Sequence, residues 1–156
     1  MSEEKVREYF HQHGFANRIM KFDRSSATVE LAAAVLGCEP GRIAKTLSFA
    51  LKTRVLLIVT AGDARVDNAK YKTRFGAKAK MLPREETEAL TGYPVGGVCP
   101  FAVNPGVEIY LDRSLQKYDH VFPACGSADS AIDMSIAELE RYSGGVWVDV
   151  CKNGEN

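Results

Sequence analysis

Ile43-Ala44-Lys45-Thr46-Leu47-Ser48-Phe49-Ala50-Leu51, then Lys52-Thr53, then Arg54-Val55-Leu56-Leu57-Ile58-Val59-Thr60 is the stretch that decides the fold class. Two apolar runs of strand length, separated by two polar residues, read as successive strands. The second is a nearly unbroken Val/Leu/Ile run, as in a strand covered on both faces. In the first, strict alternation puts Ile43, Lys45, Leu47 and Phe49 on one face. A lysine in such a row needs an anionic ligand, an acidic partner or a route to water. The plainer reading is a lysine near a strand end whose stem lies on apolar surface while its head reaches solvent.

Working outward, residues 3–13 read as a short amphipathic helix with Val6, Phe10 and Tyr9 inward and Gly14 as its stop. Ile19 to Phe22 is a short strand. Asp23-Arg24-Ser25-Ser26 is turn chemistry that offers an N-cap to a helix over Thr28 to Leu36, with Val29, Ala32, Ala33 and Leu36 on one face. After the central strands, Asp67 caps a helix through Arg74, and Lys78 to Leu82 reads as a strand. Pro83 at a first helical position opens a helix ending near Gly92. Residues 92–106 hold four of the chain's 13 glycines and three of its six prolines, so they form a long loop that carries apolar side chains. Val107 to Leu111, His120 to Cys125 and Ala131 to Met134 follow as strands. Ser135-Ile136-Ala137-Glu138 is a capping box for a helix to Tyr142, and Val146 to Val150 is a last strand. About seven strands among five helices in irregular order describe one α+β (mixed α/β) domain over residues 1–156, not a doubly wound sheet.

At 156 residues and 46% hydrophobic, the chain supports one core, and 26% charged residues is ordinary for a globular protein. No apolar run approaches the ~18–20 residues of a membrane span. The N-terminus, Met1-Ser2-Glu3-Glu4-Lys5-Val6, lacks the apolar core of a signal peptide, so the expected compartment is the cytoplasm and no membrane partner is expected. Cys38, Cys99, Cys125 and Cys151 form no C-x-x-C pair and read as free, mostly buried thiols. His11 and His13 do not share a helix face, so no metal is expected. There is no G-x-S-x-G turn and no phosphate-binding glycine motif, and no cofactor is expected. Cys99, in the Gly/Pro loop, could act as a nucleophile only with His120 as its base; a structural thiol is the simpler reading.

Twenty basic and twenty acidic residues cancel, yet the distribution is uneven. Residues 42–80 hold ten basic and two acidic residues, and residues 81–156 hold five basic and twelve acidic. A block of that sign suits a phosphate backbone, unless the acidic half folds over it and pairs with it.

Lys45 in its strand, the loop Val95-Gly96-Gly97-Val98-Cys99-Pro100-Phe101, the turn Val121-Phe122-Pro123-Ala124-Cys125-Gly126-Ser127, Asp133-Met134-Ser135 and the terminal Gly144 to Val150 together resemble the YbaK/EbsC family. Its members are free-standing relatives of the editing domain of bacterial prolyl-tRNA synthetase. The resemblance implies a mixed, partly barrel-like sheet flanked by helices. It also implies hydrolysis of the ester joining a wrong small amino acid (cysteine, alanine, serine or threonine) to tRNA, typically tRNA for proline. Lys45 then lies near the terminal adenosine phosphate and the ester. Gly96 and Gly97 supply the backbone groups that stabilise the reacting carbonyl. Phe22, Val98, Cys99, Pro100, Gly126, Ser127 and Asp133 line the aminoacyl pocket. The implied partners are the 3′-end of tRNA and prolyl-tRNA synthetase. Thr46 stands where alanine-specific relatives tend to have asparagine. An aminoacyl ester is already activated, so backbone donors and positioned water suffice without a triad or metal. A second reading keeps the fold and loses the chemistry, leaving a tRNA- or nucleotide-binding module.

Overall fold

The hairpin expected at residues 43–60 is present and organises the sheet. In the computed structural model, which describes residues 2–152, the order of elements is α1 (Ser2–Gln12), β1 (Ile19–Lys21), α2 (Val29–Leu36), β2 (Ile43–Leu51), β3 (Arg54–Ala61), α3 (Asn68–Phe75), α4 (Arg84–Thr91), β4 (Glu108–Asp112), β5 (His120–Pro123), β6 (Ser130–Ile132), β7 (Met134–Ser135), α5 (Ile136–Ser143) and β8 (Val146–Val148). β2 and β3 pair antiparallel from Ala44 opposite Ala61 to Leu51 opposite Arg54. Both join a six-stranded sheet in the order β7-β5-β2-β3-β4-β8, and β1 pairs with β6 in a separate two-stranded ribbon. β2/β5, β3/β4 and β4/β8 run parallel while β2/β3 and β5/β7 run antiparallel, so the sheet is mixed. It curls into half a barrel with helices around it.

β3 is covered on both faces. Leu56, Leu57, Ile58 and Val59 are all 0% exposed. On one face Val59 and Ala44 meet Val6 and Phe10 of α1, Leu139 of α5, and Tyr93, Cys99 and Phe101 from the Gly/Pro loop. On the other, Leu56 and Ile58 pack with Phe49 and with Tyr71 of α3. Each such side chain contributes ~1.5–3 kcal/mol by leaving water. α2 covers the start of β2, where Ala32 and Ala33 meet Ile43.

The helix caps are local chemistry. Asp67 accepts from the N–H groups of Ala69 and Lys70, and Ser135 and Glu138 form the reciprocal capping box. β5 and β8 each end two residues earlier than expected, at Pro123 and Val148, and four further boundaries differ. Thr28, not the Asp23–Ser26 turn, caps α2, its Oγ1 accepting from Leu31 N–H. Pro83 occupies the N-cap of α4 rather than its first helical position. Residues 78–82 form no full strand: Met81 alone bridges Phe49, and Pro83 has no N–H with which to extend the pairing. The expected strand Ala131–Met134 is two, because the chain crosses at Asp133 from the ribbon with β1 to the pairing with β5. With the strand at 78–82 lost and this one divided, the described residues hold eight strands. Among the described residues no helix is long and apolar enough to cross a membrane.

Candidate active site

A cavity of about 330 Å³, within the range of small-molecule sites, opens beside β2. Residues 26–29 with Ala32, residues 43–48 of β2, Met81, Leu82, Arg84 and Thr87, the loop residues Val95, Gly96 and Val98, and Phe122, Ala124, Ser130 and Ala131 wall it. Three loops are stacked to build it. Ser26 N–H and Oγ both donate to Ala128 O, at 2.6 and 3.2 Å. Gly96 lies between Ala27 and Ala128, where an added Cβ would come within 3.1 and 3.4 Å of their methyl groups.

The β2 wall has a gap in its ladder. Ala44 pairs with Pro123 of β5, and further along Leu82 N–H donates to Ser48 O and Ala50 N–H to Lys80 O. These even-numbered residues direct their backbone groups away from β3, so Thr46 does too. Its peptide N–H and C=O fall between the two partners and reach neither. Thr46 Oγ1 is buried and has no hydrogen-bond partner among the described residues. Unpaired buried polar atoms are uncommon, so the Thr46 hydroxyl, beside an open stretch of ladder on the cavity wall, makes this a candidate ligand position.

Lys45 sits one residue before this gap. Its row neighbours diverge: Ile43 packs under α2, and Leu47 and Phe49 pack around Tyr71. The lysine fills the space between. Its Nζ donates to Ala64 O at 2.6 Å, and no carboxylate lies within 4 Å among the described residues. Burial lowers its pKa, and Arg65 acts in the same direction. An ammonium has three donors, so two remain for an anionic oxygen.

The Gly/Pro loop is held by α1 and by its own bonds. Phe101 packs edge-on against Phe10 with ring centroids 4.8 Å apart, Tyr93 Oη donates to Phe101 O, and Lys5 lies over the Tyr93 ring. Its tip, Pro94-Val95-Gly96-Gly97, is a turn closed by Gly97 N–H to Pro94 O at 2.9 Å, with Gly96 at φ 91°. That is the type II pattern, which demands glycine at the third position.

Of the residues singled out in the sequence, Lys45, Gly96 and Val98 line the cavity together. Gly97 does not line it, and its N–H, committed to Pro94, is not a free donor. Instead it packs on the second turn: a Cβ there would lie 2.6 Å from Ser127 N and 2.7 Å from Gly126 C. Gly96 and Val98 have no hydrogen-bond partner for their N–H groups among the described residues. Gly126 is buried behind this contact, and Ser127 Oγ bonds Asp129 and Ser130 Oγ, so it positions Ser130, which does line the cavity. Cys99 and Pro100 belong to the core, and burial pushes the Cys99 thiol up to about 12. Phe22 is half-buried beside the ribbon, its N–H bonded to Asp129 O. Asp133 is elsewhere: with His120, Arg18, Met20, Ser135 and Glu138 it lines a shallow groove, and its Oδ1 is 2.8 Å from His120 Nδ1. Ser26, Thr28, Arg84, Thr87 and Ser130 also line the cavity, with no functional signal in the sequence. Thr46 lines it too, and there the Asn-to-Thr difference gave a signal.

The acidic half does little to neutralise the basic block. Arg54 pairs with Glu108 at 2.7 Å and Lys70 with Asp149 at 3.1 Å. Lys52, Arg65, Lys72, Arg74, Lys78 and Lys80 have no carboxylate within 4 Å among the described residues.

Comparison with known proteins gives a consistent result. Residues 23–142 match the aminoacyl-tRNA editing domain. YwhH of Bacillus subtilis (strain 168) is 48% identical over 99% of this chain and 100% of its own. The Enterococcus faecalis protein named "Putative Cys-tRNA(Pro)/Cys-tRNA(Cys) deacylase EbsC" is 29% identical over 79% of this chain and 76% of its own. A proline–tRNA ligase of Bacillus cytotoxicus is 27% identical over 72% of this chain, which spans 20% of the ligase. Among solved structures, "a putative trans-editing enzyme for prolyl tRNA synthetase" superposes with TM-score 0.87 and 28% identity, covering 97% of this chain and 98% of the other.

Proposed function

The chain belongs to the aminoacyl-tRNA editing domain family, and on that premise we propose that it is a deacylase acting in trans on mischarged tRNA. The reading takes residues 1–156 as one editing domain working in the cytoplasm. Its substrate is Cys-tRNA(Pro) or another small amino acid, alanine, serine or threonine, on that tRNA. The observation that carries it is the pairing of Lys45, a half-buried ammonium with donors to spare, with the unpaired groups of Thr46, Gly96 and Val98 on one cavity.

In this reading Lys45 binds an oxygen of the terminal nucleotide and orients the ester. Water, positioned and relieved of a proton by the substrate's own 2′-hydroxyl or thiol, adds to the carbonyl carbon. The Gly96 and Val98 N–H groups stabilise the oxyanion that forms. Collapse breaks the bond to the ribose oxygen, which takes the proton released by the attacking group. After attack by water the products are free amino acid and tRNA. Thr46 and the small walls Ala27, Ala44 and Ala124 set the size and polarity of the side chain admitted, a selection worth only ~1–3 kcal/mol per methylene. Cys99 is not the nucleophile, because a thiol at about 12 in the core is neutral and inaccessible. Prolyl-tRNA synthetase is the natural partner, since the matching segment also occurs within proline–tRNA ligases.

Single-turnover incubation with Cys-, Ala-, Ser-, Thr- and Pro-tRNA(Pro) tests this. Hydrolysis of at least one small aminoacyl ester with Pro-tRNA spared is expected. Inactivity on all five, with tRNA binding retained, overturns the deacylase reading in favour of a binding module.

A further inference from the structure

The wall of the cavity continues beyond its mouth. Leading into Leu82, the chain reads Ala77-Lys78-Ala79-Lys80-Met81. Ala77 and Ala79 are half-buried against the Tyr71 cluster, and Lys78 and Lys80 are exposed. That is the alternation of an extended chain. The bonds from Ala50 N–H to Lys80 O (2.8 Å) and from Leu82 N–H to Ser48 O (3.0 Å) hold it alongside β2. Lys78, Lys80 and Leu82 therefore share a side, and Leu82 is a wall of the cavity. At ~3.3 Å per residue, the two lysine positions stand ~7 and ~13 Å out from that wall.

Arg84, at the start of α4, lines the cavity itself, as does Thr87 on the same helix face. Glu85 and Glu86 lie toward the opposite side of α4. None of Lys78, Lys80 and Arg84 has a carboxylate within 4 Å among the described residues, Glu88 on the next turn included. Met81 (51% exposed) and Val95 (41% exposed) add apolar surface at the cavity mouth. A line of unpaired cations leading to a cavity fits a chain of phosphates that ends in the group the cavity holds. A single small anion would leave most of the line unused.

We infer that residues 78–84 are the track for the single-stranded 3′ tail of an RNA. Lys78 and Lys80 take backbone phosphates, Arg84 meets the last phosphate at the mouth, and Met81 with Val95 packs against a base. That the RNA is tRNA rests on the deacylase reading; the fit of a phosphate chain does not.

The test is fluorescence titration of 5′-labelled single-stranded RNA with the 3′ sequence of tRNA, and of uncharged tRNA, at several salt concentrations. Wild type is compared with Lys78→Ala/Lys80→Ala and with Lys52→Glu at the hairpin tip, both of which change net charge by −2. The double variant is expected to bind about tenfold more weakly at low salt. Its slope of log K against log salt should be shallower by about 1.4, since each single-strand phosphate contact contributes about 0.7. Lys52→Glu should stay within about twofold of wild type. Equal weakening in both variants, no weakening in the double variant, no binding by wild type, or equal competition by blunt duplex RNA overturns the inference. The RNA is uncharged, so a protein that hydrolyses no ester can still pass, and an active deacylase can still fail.

Discussion

Toward the end of β5, Phe122 and the following Ala124 wall a cavity in which, among the described residues, Lys45 has a single carbonyl partner and Thr46 Oγ1 has none. At the start of the same strand, His120 stands in a shallow groove where the charges answer one another: His120 with Asp133 at 2.8 Å and Arg18 with Glu138 at 2.8 Å, all at least partly exposed. Read for residue types, the groove is the richer place, with a histidine, two acids, an arginine and a serine. Read for pairing, it is complete, since the Ser135 hydroxyl is itself committed to capping α5. Exposed pairs contribute ~0–1 kcal/mol and imply no ligand. In the cavity, by contrast, the Thr46 hydroxyl has left water without finding a partner among the described residues, a cost that a bound substrate would offset.

The contrast can be broken most forcefully at the loop contact behind the cavity. Gly97→Ala drives a methyl into the Gly126–Ser127 backbone. It is expected to cost about 1–3 kcal/mol of stability and to slow single-turnover deacylation about 10²-fold through misplacement of Gly96 and Val98. Thermal melts and rapid-quench kinetics read the two effects, and wild-type values for both would show that the packing is not tight.

Thr46→Val separates stability from function. Replacing an unpaired buried hydroxyl by a methyl is expected to stabilise the fold by about 1 kcal/mol while shifting the preference among Cys, Ala, Ser and Thr esters by about tenfold. A destabilised variant would mean that Thr46 already has a partner.

A paired region responds only to pH. The Arg54 guanidinium and the Tyr110 hydroxyl hold the Glu108 carboxyl down at about 2. A carboxyl depressed in the folded state stabilises above its unfolded value near 4.5, and that stability is lost as pH falls toward about 2. Glu108→Gln should therefore melt lower than wild type at about pH 6 and together with it at about pH 2, with ester hydrolysis retained. A melting difference that persists at about pH 2 would assign the effect to packing.

The smallest effect belongs to the groove. Asp133→Asn should leave hydrolysis within about twofold and stability within about 0.5 kcal/mol. A large rate loss would reinstate Asp133 at the substrate.

Much of the scaffold was legible because its signals are local. The two-sided burial of Leu56 to Val59 follows from their unbroken apolar run, and the Ser135/Glu138 box follows from spacing alone. Residues 92–106 were legible only as a loop; the Pro94-Val95-Gly96-Gly97 turn inside it, whose closing bond removes Gly97 N–H from the donors, was not. The opening at Thr46 was not legible. It exists because β5 stops at Pro123 and the 80–82 segment joins β2 only from Ser48 onward, and both events lie far from Thr46 in sequence. Asp133 misled for a related reason. It lies at the crossing between two sheets, a point that no pattern within residues 131–134 marks.

In the proposed mechanism Lys45 holds the substrate in the cavity and is a catalytic residue. Single-turnover hydrolysis of the preferred aminoacyl-tRNA by wild type and Lys45→Ala, with melting curves to confirm the fold, tests it most directly. A folded variant slower by about 10²–10³-fold is expected, through loss of the charged contact that orients the ester. Equal rates for the two proteins on every substrate would contradict it.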